Sequence, residues 1–330
     1  MKTWVITGGA GFIGGHAAST LHARGDRVVL ADDLSRPGSA ANLAWLRGQG
    51  IDEFHQLDIR DPSSVDSLIS RHADADAVLH LAGQVAVTSS VRDPRADFEA
   101  NALGTLNVLE AVRTRAGGRP AVLYSSTNKV YGGLEDLAIV ERDGRYALGD
   151  LPGGVDESRP LDFHSPYGCS KGAGDQYVRD YARIYGMKTI TFRQSCIYGT
   201  RQNGVEDQGW VAWFCIAAAS GRPVTVCGDG KQVRDLLWVD DLVDIYIKAL
   251  DRIDEVSGEA FNVGGGPANA LSINELVSLL GLEARRAPWR PGDQRVFVAD
   301  VSKARRRLGW SPSVGAAEGV ARLRAWASGR

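Results

Sequence analysis

No stretch of this 330-residue chain approaches the run of roughly 18 apolar residues that a membrane-crossing helix needs. The opening residues lead directly into strand-forming sequence, so neither a secretory leader nor a membrane span is expected. Cysteine is scarce, and Cys169, Cys196, Cys215 and Cys227 have no metal-ligand spacing; they read as reduced thiols of a cytoplasmic protein. No metal site is expected. Charge of one sign is also lacking. With 38 Lys and Arg against 40 Asp and Glu, the net charge is −2, which excludes the basic footprint of a nucleic-acid-binding domain. The one basic cluster, Lys303 to Arg307, reads as a solvated helix face.

Glycine, by contrast, is abundant, at 39 residues against an ordinary ~7%. The first sixty residues show what it is for. Thr3 to Thr7 reads as a short buried strand, and Gly8-Gly9-Ala10-Gly11-Phe12-Ile13-Gly14 follows at once. The spacing of Gly8, Gly11 and Gly14 permits a tight turn that brings backbone N–H groups up to a pyrophosphate at a helix N-terminus. The helix is expected from about Phe12 to Arg24, with Gly25 as its C-terminal cap. A second strand over Arg27 to Ala31 ends in Asp32-Asp33, where a carboxylate can accept hydrogen bonds from an adenosine ribose. That carboxylate repels a 2′-phosphate, so NAD is expected over NADP.

The pattern then repeats. Strands are expected over residues 53–57, 77–81, 121–125 and 188–192, with helices over 62–71 and, as one long element, 94–116. Such alternation with short loops predicts an α/β fold: a Rossmann-type doubly wound parallel sheet with a smaller C-terminal α/β substrate-binding domain. The expected boundaries are residues 1–192 for the NAD-binding domain, with a flap at about 133–160. Residues 193–330 form mostly the substrate-binding lobe, with about 232–260 returning to the first domain. His80, inside an apolar strand, reads as a core histidine.

The chemistry gathers between Tyr124 and Lys171. Ser165-Pro166 reads as a helix start, and Tyr167 and Lys171, four residues apart, share one face of that helix. The helix dipole and the ammonium both favour phenolate, so the Tyr167 pKa is expected to fall below its usual value of about 10. A Tyr-x-x-x-Lys pair alone is commonplace on helix surfaces. Its position after a nucleotide-binding pattern and Ser125-Ser126-Thr127 is what singles it out.

Together Thr7-Gly8-Gly9-Ala10-Gly11-Phe12-Ile13-Gly14, Asp58-Ile59-Arg60, His80-Leu81-Ala82-Gly83 and Tyr167-x-x-x-Lys171 resemble the extended short-chain dehydrogenase/reductase superfamily. The end of the chain, from Arg290-Pro291-Gly292-Asp293 to Leu308-Gly309-Trp310, resembles its nucleotide-sugar branch. The resemblance implies that Gly8, Gly11, Phe12, Ile13 and Gly14 cradle the pyrophosphate. It places Asp32, Asp33, Asp58 and Ile59 toward the adenosine end, and Leu81, Ala82, Gly83, Asn101 and Ser125 also along the cofactor. Thr127 would hold the sugar hydroxyl, Tyr167 would be the base, and Lys171 would bind the nicotinamide ribose. A homodimer built on helices like 94–116 and 166–185 is also implied.

The two residues after Thr127 narrow the branch. Sugar 4,6-dehydratases carry Asp-Glu there, because expelling water needs a further acid and base, and UDP-glucuronate decarboxylases carry Ser-Glu. This chain has Asn128-Lys129, which cannot do carboxylate proton transfer. The strings Ser125-Ser126-Thr127-Asn128-Lys129-Val130-Tyr131-Gly132 and Asp162-Phe163-His164-Ser165-Pro166-Tyr167-Gly168-Cys169-Ser170-Lys171 are similar to the CDP-tyvelose/CDP-paratose 2-epimerase branch. That similarity implies transient oxidation of a CDP-hexose at C2 and re-reduction on the other face, with NAD recycled in place. Epimerisation at C4 of another nucleotide-hexose, net dehydrogenation and non-catalytic NAD sensing stay open as alternatives. Arg193, Ser195, Gln208, Arg234 and Arg290 are the residues that the resemblance sets against the substrate; Lys129 is open between steering the sugar or its phosphate and packing over the loop. The two arginines Arg234 and Arg290 suit a diphosphate clamp.

Overall fold

The structure, a computed structural model, describes residues 1–206, 208–289 and 294–329. It rests on seven strands: β1 (Thr3–Thr7), β2 (Arg27–Asp32), β3 (Phe54–Gln56), β4 (Ala77–His80), β5 (Ala121–Thr127), β6 (Thr189–Gln194) and β7 (Ala260–Val263). They form one parallel sheet in the order β7-β6-β5-β4-β1-β2-β3. The order reverses between β1 and β4, and a doubly wound sheet binds ligands beyond the strand ends at such a reversal.

The strands are apolar on both faces because helices cover both. Their register makes this explicit. Val29, Val5, Val78 and Val122 form one continuous row across four strands. They pack with Leu68, Ile69, Val108, Leu109 and Val178 in a core shut off from water. The next row, Leu30, Ile6, Leu79 and Leu123, alternates to the opposite face and is equally buried. One step further toward the carboxyl ends the row turns polar, with Thr7, His80 and Tyr124 side by side.

Most of the expected elements are present: the helices Phe12–Ala23 and Pro62–Arg71 follow β1 and β3, and Gly25 has the positive φ of +85° that ends the first of them. One expectation needs correction. The helix anticipated over residues 94–116 is three segments: Pro94–Phe98, a π-helical turn Glu99–Leu103, and an α-helix Gly104–Arg115. A helix at Val87–Arg92 precedes them and was not anticipated.

The chain divides into two compact units. The first comprises Met1–Val130, Ser165–Arg193 and Val243–Phe261; the second comprises Tyr131–His164, Gln194–Leu242 and Asn262–Arg330. In the second, the strand Val233–Trp238 pairs antiparallel with Ala270–Ser272 and parallel with Cys196–Tyr198 and Val296–Phe297. Tyr198, Phe214, Trp238, Leu276 and Leu323 are central to its core. The expected flap contains a hairpin, Ile139–Arg142 with Arg145–Leu148. Among the described residues no helix is long and apolar enough to cross a membrane.

In the first unit a charged pair sits in the core. Asp175 is fully buried and accepts from the Arg193 guanidinium at 2.9 and 3.0 Å and from the Ser126 hydroxyl at 2.8 Å. Removing one partner of a buried pair strands the other charge away from water. Asp175→Ala is therefore expected to cost about 3–5 kcal/mol, against about 1 kcal/mol for Ser126→Ala. Denaturant midpoints of the two variants check this; equal, small shifts would show that Arg193 finds water once Asp175 is gone.

Candidate active site

The glycine turn after β1 is built so that no side chain fits. Gly8 has φ +71°, and a Cβ there would lie 2.7 Å from the Ala82 nitrogen. A Cβ on Gly14 would lie 2.2 Å from the Gly8 carbonyl oxygen. The helix that follows, Phe12–Ala23, has Gly11 at its N-cap position, and no side chain caps it. The N–H groups of Phe12, Ile13 and Gly14 lie in that uncapped first turn, where a phosphate can accept from them. Asp32, at the end of β2, is only 9% exposed and is aimed by two backbone donors, Ala10 N–H at 3.1 Å and Leu34 N–H at 2.8 Å. Burial raises its pKa above the usual carboxylate range, against the lowering effect of those two donors. This chemistry fits NAD: a cradle that a Cβ would fill, and a carboxylate beside it. Asp33 is exposed and caps Ser35 N–H at 2.9 Å. Asp58 is paired with the Arg60 guanidinium, which holds its carboxyl below the usual range, and Ile59 lies in the core.

Beyond β4, Leu81, Ala82 and Gly83 run along the polar row. Thr7 O accepts from Leu81 N–H at 3.0 Å, and the Thr7 hydroxyl oxygen accepts from Ala82 N–H at 3.4 Å. The tautomer of His80 follows from its neighbours. Thr105 donates its hydroxyl proton to the Asn101 carbonyl at 2.6 Å. The His80 Nε2–H therefore donates to Thr105 Oγ1 at 3.1 Å, and Nδ1 accepts from the Thr7 hydroxyl at 2.7 Å. Burial first, and the Lys171 charge second, push the His80 pKa down to about 3, so it is a neutral core histidine.

Asn101 lies in the π-helical turn, a feature frequent at functional sites. Its amide accepts from Gln84 N–H at 2.9 Å and donates to Asp97 and to Ser170 Oγ, each at 3.1 Å. A Cβ on Gly83 would lie 2.5 Å from its oxygen, which explains the glycine.

The helix Ser165–Tyr185 carries Tyr167 and Lys171. Ser165 starts it as expected, its hydroxyl accepting from Gly168 N–H at 3.2 Å. The hydroxyls of Tyr167 and Thr127 are hydrogen-bonded, and Thr127 Oγ1 also accepts from Lys129 N–H at 3.2 Å. Ser125 is half-buried at the end of the same strand. The expected fall in the Tyr167 pKa is not found. Burial pushes the phenol up to about 12, with Thr127 and Arg36 pulling the other way. Lys171 does not act on it as expected, because its ammonium lies 4.3 Å from the centre of the Tyr124 ring and is itself buried. Burial lowers its pKa to about 7, against the pull of Asp175 and Asp97.

The residues assigned to the substrate are differently placed. In the first unit, Lys129 is half-buried after Thr127, and Arg193 is 2% exposed in its pair with Asp175, inside the core. In the second unit, Ser195 donates its hydroxyl to the buried Asp235, whose carboxylate also accepts from Gly266 and Ala299 N–H. Gln208 and Val205 bond each other's backbone. Arg234 donates to the carbonyls of Val233 and Gln294 at 2.8 and 2.6 Å. Arg290 lies outside the described residues. The sequence reading missed Asp97, Ser170, Gln84 and Arg36. A buried Asp carries no mark of its burial in spacing, and only Ser170, directly before Lys171, stands in the motif.

Residues 4–264 match the family model described as NAD dependent epimerase/dehydratase family. The chain belongs to that family and is an NAD-dependent enzyme. Over 98% of both chains it is 47% identical to CDP-paratose 2-epimerase from Salmonella typhi. Its fold is similar to that of a UDP-glucose 4-epimerase from Thermotoga maritima solved with UDP-glucose, with TM-score 0.85 and 31% identity over 98% of each chain. A Thermus thermophilus UDP-glucose 4-epimerase solved with NAD gives TM-score 0.83 and 32% identity over 99% of each chain.

The buried lysine generates a prediction with a defined sign. Folding lowers the Lys171 pKa, so between about pH 7 and 10.5 the unfolded chain holds a proton that the folded chain does not. The resulting penalty is full below about 7 and fades as pH rises through that window. Lys171→Met is expected to raise the denaturation midpoint at pH 7, to lose that advantage toward pH 10.5, and to lower turnover roughly 10²-fold or more. A midpoint lowered at pH 7 would show that the ammonium is stabilised where it lies.

Proposed function

We propose that this enzyme inverts C2 of a CDP-linked hexose through a transient 2-keto sugar. The observation that carries the reading is the hydrogen-bonded Thr127–Tyr167 hydroxyl pair followed by an amide and a cation. Asn128 is buried with its amide oxygen 3.4 Å from Thr127 Oγ1, and Lys129 comes next. Epimerisation needs one proton taken from a hydroxyl and later returned to it, which a single phenol can do. Dehydration needs a further acid and base, which Asn128 and Lys129 cannot supply. The 47% identity to a CDP-paratose 2-epimerase supports both the carbon and the nucleotide.

In this reading Gly8, Gly11, Phe12, Ile13 and Gly14 hold the pyrophosphate of NAD, and Asp32, Asp33, Asp58 and Ile59 its adenosine end. Leu81, Ala82, Gly83, Asn101 and Ser125 line the rest. When bound, NAD⁺ supplies reversible two-electron acceptance at the sugar carbon. Thr127 orients the sugar hydroxyl and Tyr167 takes its proton. Because burial disfavours the phenolate, Tyr167 becomes a base only as cationic charge reaches it; Arg36 already pulls in that direction. Lys129, Ser195, Gln208, Arg234 and Arg290 are assigned to the substrate in this reading. Arg193 is given a positioning role instead, through Asp175 and Ser126 beside Thr127.

The proposal extends to a homodimer in the cytoplasm. Val91, Phe98 and Leu103 are exposed on residues 87–103, and Tyr177, Ile184 and Tyr185 on the helix Ser165–Tyr185. That is apolar surface on helices of the first unit, of the kind an oligomer covers.

Two experiments test the reading. NMR of CDP- and GDP-hexoses incubated with the purified protein in D₂O, without added NAD, is expected to show C2 inversion with no deuterium in the ring. Tyr167→Phe is expected to abolish it. C4 inversion would place the enzyme with the 4-epimerases, and deuterium in the ring would replace this chemistry with enolisation. Sedimentation is expected to give a dimer that Phe98→Glu with Ile184→Glu converts to a monomer; an unchanged mass would move the interface elsewhere.

A further inference from the structure

At the outer edge of the sheet, three side chains converge that the reaction does not use. Glu53 immediately precedes β3, His55 lies within it, and His72 directly follows the helix Pro62–Arg71. One ligand atom from each lies within 4.8 Å of the other two. His72 Nε2 is 3.3 Å from His55 Nε2 and 3.7 Å from Glu53 Oε1. We propose that Glu53, His55 and His72 form a divalent transition-metal site of the kind that takes Zn²⁺, with its fourth position open to water.

The distances carry the argument. Zn–N bonds of about 2.0–2.1 Å at the tetrahedral angle separate two nitrogens by about 3.3–3.4 Å. The two imidazoles already stand at that separation. The rings meet edge to face, at 70° with centroids 5.3 Å apart, so the facing nitrogens rather than the ring faces define the contact. His72 is 5% exposed, so the packing of the helix end against the edge strand holds its ring in place. Glu53 supplies the anionic donor, and Arg27 orients its carboxylate, Nε donating to Oε2 at 3.1 Å and Nη2 to Oε1, the oxygen nearer His72, at 2.9 Å. Outer partners of this kind set the orientation of a ligating group. The ligand set of two imidazoles and a carboxylate suits Zn²⁺ and its neighbours in the first transition row, not Mg²⁺ or Ca²⁺.

The place defines the role. β3 is three residues long and lies at the edge of the sheet. A bound ion ties it to the end of the helix that crosses back over it. None of the three ligands is among the residues assigned to the cofactor or the substrate, so the ion is a clamp on the edge and not a participant in catalysis.

The test uses the full-length protein with its cofactor, freed of metal by chelation and dialysis. Calorimetric titration with Zn²⁺ is expected to show one equivalent bound, and Co²⁺ in its place is expected to give the visible ligand-field absorption of a bound, low-symmetry ion. Zn²⁺ is expected to raise the thermal unfolding midpoint. His55→Gln and Glu53→Gln are each expected to weaken binding at least about 10-fold and to erase the midpoint shift. His55→Gln, at a half-buried edge position, is expected to leave epimerase turnover unchanged. Absence of stoichiometric binding would overturn the proposal. So would binding that is the same in wild type, His55→Gln and Glu53→Gln.

Discussion

A carboxylate with almost no access to water holds the active half of this enzyme in register. Asp97 is 1% exposed and accepts from the Gln84 amide at 2.8 Å, from the Asn101 amide at 3.1 Å and from the Ser170 hydroxyl. Those three donors belong to the loop after β4, the π-helical turn and the helix that bears Tyr167 and Lys171. A buried anion is tolerable only when such donors surround it. The requirement fixes the three elements to one another: if any of them moved, the charge would lose a partner. The π-helical turn fits this need, since it brings Asn101 within reach of Gln84, Asp97 and Ser170 at once.

The same dry interior sets the proton chemistry. The apolar rows of the sheet end in Thr7, His80 and Tyr124, and above that row stand a phenol held protonated and an ammonium near its balance point. Lack of water disfavours the charged form of each group, and each is therefore sensitive to whatever charge arrives. A solvated Tyr–Lys pair would lack that sensitivity. Burial costs stability here and supplies responsiveness.

Much of this was legible from the residues. The strand–glycine–helix–strand–Asp order is local, and local order survives folding: Gly8, Gly14 and Asp32 occupy the positions that their spacing implied. Tyr167 and Lys171 share a helix that begins at Ser165, as read. What could not be read is what depends on burial or on partners far along the chain. The Asp97–Ser170 contact spans 73 residues and the Arg193–Asp175 pair joins a strand to a helix. Neither leaves a periodicity. The helix over 94–116 was misread because a π-helical turn keeps helical composition while changing the register. The Tyr167 pKa was misjudged because a helix dipole and a nearby lysine are visible in sequence, whereas desolvation is not.

The two compact units are each made of three separate segments, so the chain passes from one to the other five times before it ends. A ribosome delivers residues in order, yet the first unit lacks its last segment until Phe261 has emerged. For the same reason neither unit can be cut out or exchanged as a cassette by joining gene fragments at one point.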